Sequence, residues 1–385
     1  MNRRNFLSTC GAFGASFTTY LPAFAQSLSP NYKKLLVLVE LKGANDGLNT
    51  VIPYADPAYA TLRPNIAIKR DQVLQLNDAM GLHPALEPLM PLWKDKQLAI
   101  VNGIGYPQPN LSHFRSIEIW DTASRSDEYK SEGWLTRLFN AQPTPSNYAA
   151  DGIIVGSSDL GPLNGGARAV ALQSVDAYLR QAKLADPHGR ARNAALQHIL
   201  KVEQDVTQSA QGIAPQFNLR TEFPNSAFGN AVKTAMHVVA GSPGVAVVRV
   251  TLGGFDTHNG QLGTHQNLLK QLADGLVALK AALIETNHWN DSLILTYCEF
   301  GRRAKENLSN GTDHGTANAQ FAMGGAVKGG LYGAMPSLTN LNSDGNVTHT
   351  VDYRSYYAAA LAQWGVGARD AENILGGKFA PIGFV

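Results

Sequence analysis

The 385-residue chain sets 32 lysines and arginines against 30 aspartates and glutamates, a formal charge of +2. Arg3 and Arg4 fall within the first 25 residues, which hold no acid, so the remainder is neutral. A neutral chain without basic clusters excludes nucleic acid as the partner its charge would select. No stretch is apolar for long enough to span a membrane.

Arg3-Arg4-Asn-Phe6-Leu7, a modestly apolar run over 9–21 and the small-x-small site Ala23-Phe24-Ala25 together form a twin-arginine secretory leader. Residues 1–25 are therefore set apart from the fold, and 26–385 is expected as one domain in the periplasm or outside the cell. That route carries folded proteins, often with a cofactor in place, which suits a metal loaded before export. Cys10 leaves with the leader and Cys298 stays alone, so no internal disulfide forms.

The first apolar run, 35–41, reads as a buried strand leading into Gly43-Ala-Asn-Asp46-Gly-Leu-Asn49. Asp46 is either an Asx-type turn residue or a carboxylate brought close to a ligand by its flanking glycines. Residues 53–78 are loop-like, and 82–93 reads as a helix with prolines in its opening turns. His83 before it has a structural role, capping or packing. A second strand, 98–104, suggests a strand–helix–strand crossover.

Ser112 then occupies an N-cap position before apolar residues at helical spacing. A serine there faces unpaired amides, which favours an anionic ester, with His113 and Arg115 as added charge. The bland alternative is a simple cap with Arg115 in solvent. Residues 134–140 read as a short helix, 152–156 as a strand and 182–213 as a long surface helix. Together, 124–225 are expected to form a cap or insertion over the strand ends.

A helix over 226–240 leads into the strand from Val245, which Gly253-Gly254 end before Asp256-Thr-His258. An amphipathic helix over 261–287 starts near His265. The strand 292–298 ends at Glu299-Phe-Gly-Arg302-Arg303, and Asp313-His314-Gly315 follows a polar loop. Residues 319–325 are expected as a short edge strand, and 352–376 as one or two closing helices.

Open α/β sheets place ligand groups beyond the carboxyl ends of their strands. Asp46, Asp256, His258, Glu299, Asp313 and His314 all sit at or just past such ends. Carboxylates with imidazoles suit Zn²⁺ or Mn²⁺, and an oxygen-rich subset suits Mg²⁺ or Ca²⁺. The alternative is a set of solvated loop residues that never meet.

Four motifs carry a family resemblance: Gly-Ala-Asn-Asp-Gly-Leu-Asn, Ser-His-Phe-Arg-Ser-Ile-Glu-Ile-Trp, Gly-Gly-Phe-Asp-Thr-His and Cys-Glu-Phe-Gly-Arg with Thr-Asp-His-Gly. In this order they resemble the DUF1501 family of exported bacterial proteins, related to the alkaline phosphatase/sulfatase superfamily. The resemblance implies an α/β/α sandwich of three layers around a mostly parallel sheet. It implies Asp46 as a metal ligand, Ser112 as nucleophile, Asp256 and His258 as a metal pair, and His314 as the last histidine ligand with Asp313 beside it.

His265 is the implied compensating ligand for the short Asp-x-His spacing. Glu299 stands where the superfamily usually has Asp-His, a departure that leaves one or two ions open. Arg115, Arg302 or Arg303 would hold the anion. The sulfatase Cys-x-Pro-x-Arg signature is absent, so phosphoric esters are expected ahead of sulfuric ones. The implied activity is metal-assisted hydrolysis of a small anionic or glycan-linked ester. The alternative is a non-catalytic binding or assembly protein that holds a protein partner or polysaccharide.

Overall fold

The computed structural model describes residues 30–185, 193–213 and 217–385. The expected leader, 1–25, and residues 186–192 of the expected long helix lie outside them.

Among the described residues, nine strands form one sheet: β1 (Leu35–Lys42), β2 (Leu98–Gly105), β3 (Ala150–Val155), β4 (Ala169–Leu172), β5 (Val245–Gly253), β6 (Ser292–Tyr297), β7 (Asn318–Met323), β8 (Gly330–Tyr332) and β9 (Val351–Asp352). Their order is β8-β2-β7-β6-β1-β5-β3-β4, with β9 also on β2. Every pairing is parallel except those of β7, which runs antiparallel to both β2 and β6.

Alternation along the strands divides the interior in two. Leu35, Val37, Val39 and Leu41 face one core with the helices Ala227–Gly241 and Gln261–Glu285. Leu36 and Leu38 face the other, with helices His113–Thr122, Trp134–Ala141 and Tyr353–Gln363. Strands buried on both faces read as continuous apolar runs, which is why β1, β5 and β6 stand out in the sequence. The result is the expected three-layer α/β/α arrangement. No helix among the described residues is long and apolar enough to cross a membrane.

The structure corrects several expectations. The strand placed at a sheet edge, near 319–325, is β7, and it lies inside the sheet between β2 and β6. β2 is separated from β1 by β6 and β7. The expected helix over 82–93 is a 3-10 turn, Pro84–Leu89, followed by a short helix, Met90–Lys94, because prolines interrupt its amide ladder. The loop-like region near 53–78 carries a helix, Pro57–Leu62, and joins a small three-stranded sheet. Segment 124–225 contributes β3 and β4 to one edge, so it is continuous with the main sheet.

Register positions the site. Lys42 pairs with Gly253 and Glu40 with Tyr297, so β1, β5 and β6 end at one edge. β7 is antiparallel and begins at that same edge, which delivers the turn before it, Asp313-His314, to the other strand tips.

Candidate metal centre

Each strand tip meets its neighbours through close backbone approach. Gly43 has φ +107°, and a Cβ there would come within 2.5 Å of the Asp256 amide nitrogen. Only glycine lets the β1 turn lie against the β5 turn in this way. The Gly43 N–H donates to Glu299 Oε1 at 3.0 Å, tying the β6 tip to both.

Two imidazoles and one carboxylate, His113, His314 and Asp256, lie close enough together in front of these turns to share an ion, and the His258 ring stands beside His314 and Asp256 with its Nε2 3.5 Å from Arg302 Nη1. His113 Nε2 and His314 Nε2 are 3.0 Å apart, and His258 Nε2 is also 3.0 Å from His314 Nε2. Asp256 Oδ1 lies 3.0 Å from His258 Nε2 and 3.3 Å from His314 Nε2, and its Oδ2 lies 3.4 Å from His113 Nε2. His113 comes from the first turn of its helix, His314 from the turn before β7, and the other two from the turn after β5.

The second nitrogen of every ring faces an acceptor. His113 Nδ1 is 2.6 Å from Glu299 Oε1, His314 Nδ1 is 2.9 Å from the Leu111 carbonyl, and His258 Nδ1 is 3.3 Å from Asp313 Oδ1. An acceptor at Nδ1 requires the proton there, so each neutral ring turns a bare Nε2 lone pair inward. Lone pairs held 3.0 Å apart repel one another unless a cation or a proton lies between them. Metal-ligating histidines are held by outer acceptors in this same manner.

The spacing tests which cation fits. Ligand atoms in a tetrahedral shell of radius about 2.0–2.1 Å stand roughly 3.3 Å apart. The separations among His113, His314 and Asp256, 3.0–3.4 Å, match three corners of that shell. Mg²⁺ and Ca²⁺ take oxygen ligands, and a set dominated by imidazole does not suit them. The donors present fit a first-row transition ion.

Charge around the centre follows from contacts. Burial pulls the Asp256 carboxyl upward, but the hydrogen bond and charge of Arg302 outweigh it and leave it below the usual range. The hydrogen bond to Glu299 raises His113, whereas burial lowers His314. The two directions agree with rings that cannot both carry a proton on facing nitrogens.

Arg302 is corrected from anion clamp to strut. Its buried guanidinium donates to Asp256 Oδ1 and to the carbonyls of Gly43, Ala44, Phe255 and Thr312. Arg115 is likewise engaged elsewhere: it pairs with Glu118, donates to the Ser126 and Glu128 carbonyls, and lies over the Tyr129 ring. Arg303 donates its amide to the Asp313 carbonyl.

Asp46 does not join the cluster. It is fully buried, bridged by both terminal nitrogens of Arg63 at 2.6 and 3.0 Å, and it also accepts from Gln261 and from the Leu48 amide. Burial would raise this carboxyl, and Arg63 overcomes that to hold it low. His265 is buried as well, 2.9 Å from Asn45 Oδ1, and burial pushes it down to about 3. It is a neutral core residue and not a compensating ligand. His83 caps its 3-10 turn, accepting the Ala85 N–H at Nδ1, as expected.

Ser112 is exposed at the N-cap of His113–Thr122, and its hydroxyl makes no capping bond. Of the six expected metal ligands, Asp256 and His314 meet in the centre with His258 beside them, while Glu299 and Asp313 hold rings from outside. His113, expected as a catalytic charge, supplies the third donor. No sequence signal marks Arg63 as the partner of Asp46.

Fold and site together define an α/β protein with a histidine–carboxylate centre at its strand tips. By family the chain belongs to DUF1501, a protein of unknown function, whose model matches residues 33–375. No curated protein matches the sequence.

Among solved structures, Ps i-CgsB is similar at 13% identity and TM-score 0.43, covering 91% of this chain and 75% of that one. The lipoteichoic acid synthase LtaP from Listeria monocytogenes is similar at 9% identity and TM-score 0.40, with 91% and 78% covered. A protein in the alkaline phosphatase superfamily from Vibrio parahaemolyticus is similar at 10% identity and TM-score 0.41, with 88% and 69% covered. Likeness at this level says nothing of the chemistry at this chain's own centre.

Proposed function

We propose that this protein is an exported hydrolase of phosphoric esters that uses one divalent ion, Zn²⁺ or a close relative, held by His113, His314 and Asp256. The convergence of the His113 and His314 Nε2 atoms on the Asp256 carboxylate, with each ring fixed by an acceptor behind it, is the observation that supports the reading. When bound, such an ion neutralises charge on the ester oxygens and lowers the pKa of a hydroxyl or water in reach.

The protein's own residues have distinct tasks. Glu299 and Asp313 keep the His113 and His258 protons on Nδ1. Arg302 holds Asp256 in place. Ser112 offers an exposed hydroxyl not committed to its own helix, and it is the proposed nucleophile. Its oxygen forms the bond to phosphorus as the P–O bond to the alcohol breaks, and the seryl proton leaves with the alcohol; water then cleaves the serine ester, regenerating the hydroxyl and freeing phosphate.

A second reading has its own support. Ser112 is absent from the lining of the cleft that His113, Asp256 and Glu299 share, so the centre can hold an ion with no nucleophile beside it. On that reading the protein binds its ion and a partner without turnover. Purified protein assayed for metal content and for hydrolysis of 4-nitrophenyl phosphate separates the two. The hydrolase reading expects turnover that disappears in both Ser112→Ala and His314→Ala. Bound metal with no turnover on any phosphoric or sulfuric ester favours the binding reading, and full activity in either variant overturns the proposed mechanism.

A further inference from the structure

The helix that supplies His113 also carries an unusual surface residue. Phe114 is 89% exposed, although it adjoins a residue of the candidate centre. It is not stranded on open surface: with Ile117 it lines a cleft of about 490 Å³ that also includes His113, Asp256 and Glu299. Phe114 and Ile117 stand three residues apart on one helix face, so they form a continuous apolar strip beside the charged end. Gly253 and Gly254 belong to the same lining, and a Cβ built on Gly253 meets nothing within 4 Å. The cleft therefore has a charged end, an apolar strip and open space between them.

We infer that Phe114 is a platform for the alcohol portion of the ligand, and that this portion is a ring, aromatic or sugar, whose flat apolar face packs on the phenyl group. The inference rests on the hydrolase reading, because it takes the anionic head of the ligand to sit at the histidine centre. A single exposed apolar side chain is ordinary, but Phe114 continues with Ile117 along a cleft wall that ends in His113, Asp256 and Glu299, the apolar lining with a few polar groups that ligand clefts present. A phenyl face suits offset stacking on aromatic groups, and its rim suits the C–H face of a sugar. A chain-like alcohol would leave most of that face in water.

The test measures binding, not turnover. Zn²⁺-loaded protein is titrated by calorimetry with methylphosphonate, phenylphosphonate and the C-glucosyl phosphonate analogue of glucose 1-phosphate, none of which has an ester bond to hydrolyse, and the titrations are repeated with Phe114→Ala and Phe114→Tyr. The wild-type protein is expected to bind at least one ring ligand on the order of tenfold more tightly than methylphosphonate, the scale of one aromatic contact. Phe114→Ala should abolish that preference while leaving methylphosphonate affinity and zinc content unchanged, and Phe114→Tyr should keep it. Which ring ligand gains identifies an aryl or a glycosyl group. A preference that survives in Phe114→Ala, or none in the wild-type protein, overturns the platform alone. Failure of all three ligands to bind the wild-type protein removes the hydrolase reading and this inference with it.

Discussion

Arg63 and Asp46 form a two-pronged ion pair, at 2.6 and 3.0 Å, with both side chains completely buried. The pair removes from the candidate centre the one acid that the first strand would have supplied. Arg63 further donates to the Asn49 side chain and to the Arg303 and Ala304 carbonyls, so it ties the β1 turn to the loop after β6. Asp46 is thus a structural residue that resembles a ligand in sequence.

Asp46→Ala leaves the Arg63 charge buried without its partner, which costs about 3–5 kcal/mol. Urea unfolding should show that loss, while zinc per chain in the still-folded protein stays at the wild-type value. Unchanged stability with lost metal would place Asp46 in the ion's shell instead.

The buried histidines set an acid limit. His265 and His83 are held near 3 and 4 by burial, below their ordinary value of 6.5. Their folded pKa values are depressed, so below 6.5 the unfolded chain binds the protons that the folded chain refuses. Stability is then full above pH 6.5 and falls as pH drops toward 4, by up to about 1.4 kcal/mol per pH unit for each histidine. His265→Gln, which keeps a donor for Asn45, should flatten this slope in chemical-denaturation curves collected from pH 7 to 4.5. An unchanged slope would mean that His265 is not buried neutral.

Within the centre, His314→Ala removes the nitrogen that lies within 3.3 Å of His113, His258 and Asp256. Metal content measured after dialysis against weak chelator should drop from near one equivalent to background. Chelation of the wild-type protein should lower its melting temperature. A ligand present at 100 times its dissociation constant contributes about 2.7 kcal/mol, and that contribution is what chelation withdraws.

Glu299→Gln tests the outer layer. Glu299 is buried, holds His113 through Oε1, and its Oε2 has no hydrogen-bond partner among the described residues. The amide keeps the shape but not the charge that fixes the His113 proton on Nδ1. Losses of outer partners typically weaken metal binding by about 10–100-fold. Competition with a fluorescent zinc chelator should record a drop in that range, with far-UV circular dichroism unchanged.

Much of the framework can be read along the chain. Doubly buried strands write themselves as aliphatic runs at 35–41, 245–252 and 292–298, and glycines followed by acids mark their tips. Parallel strands share one carboxyl edge, so Asp256, His258 and Glu299 were legible as neighbours before any coordinates. What tertiary structure alone decided is which polar groups pair. The antiparallel course of β7 brings His314 to that edge, and an unlabelled arginine 17 residues away captures Asp46. Arg302 and Arg115 look like anion clamps until their donors are followed to backbone carbonyls. Local periodicity records how each segment faces water, and a hydrogen bond between residues 259 positions apart, such as Arg302 to the Gly43 carbonyl, leaves no trace in it.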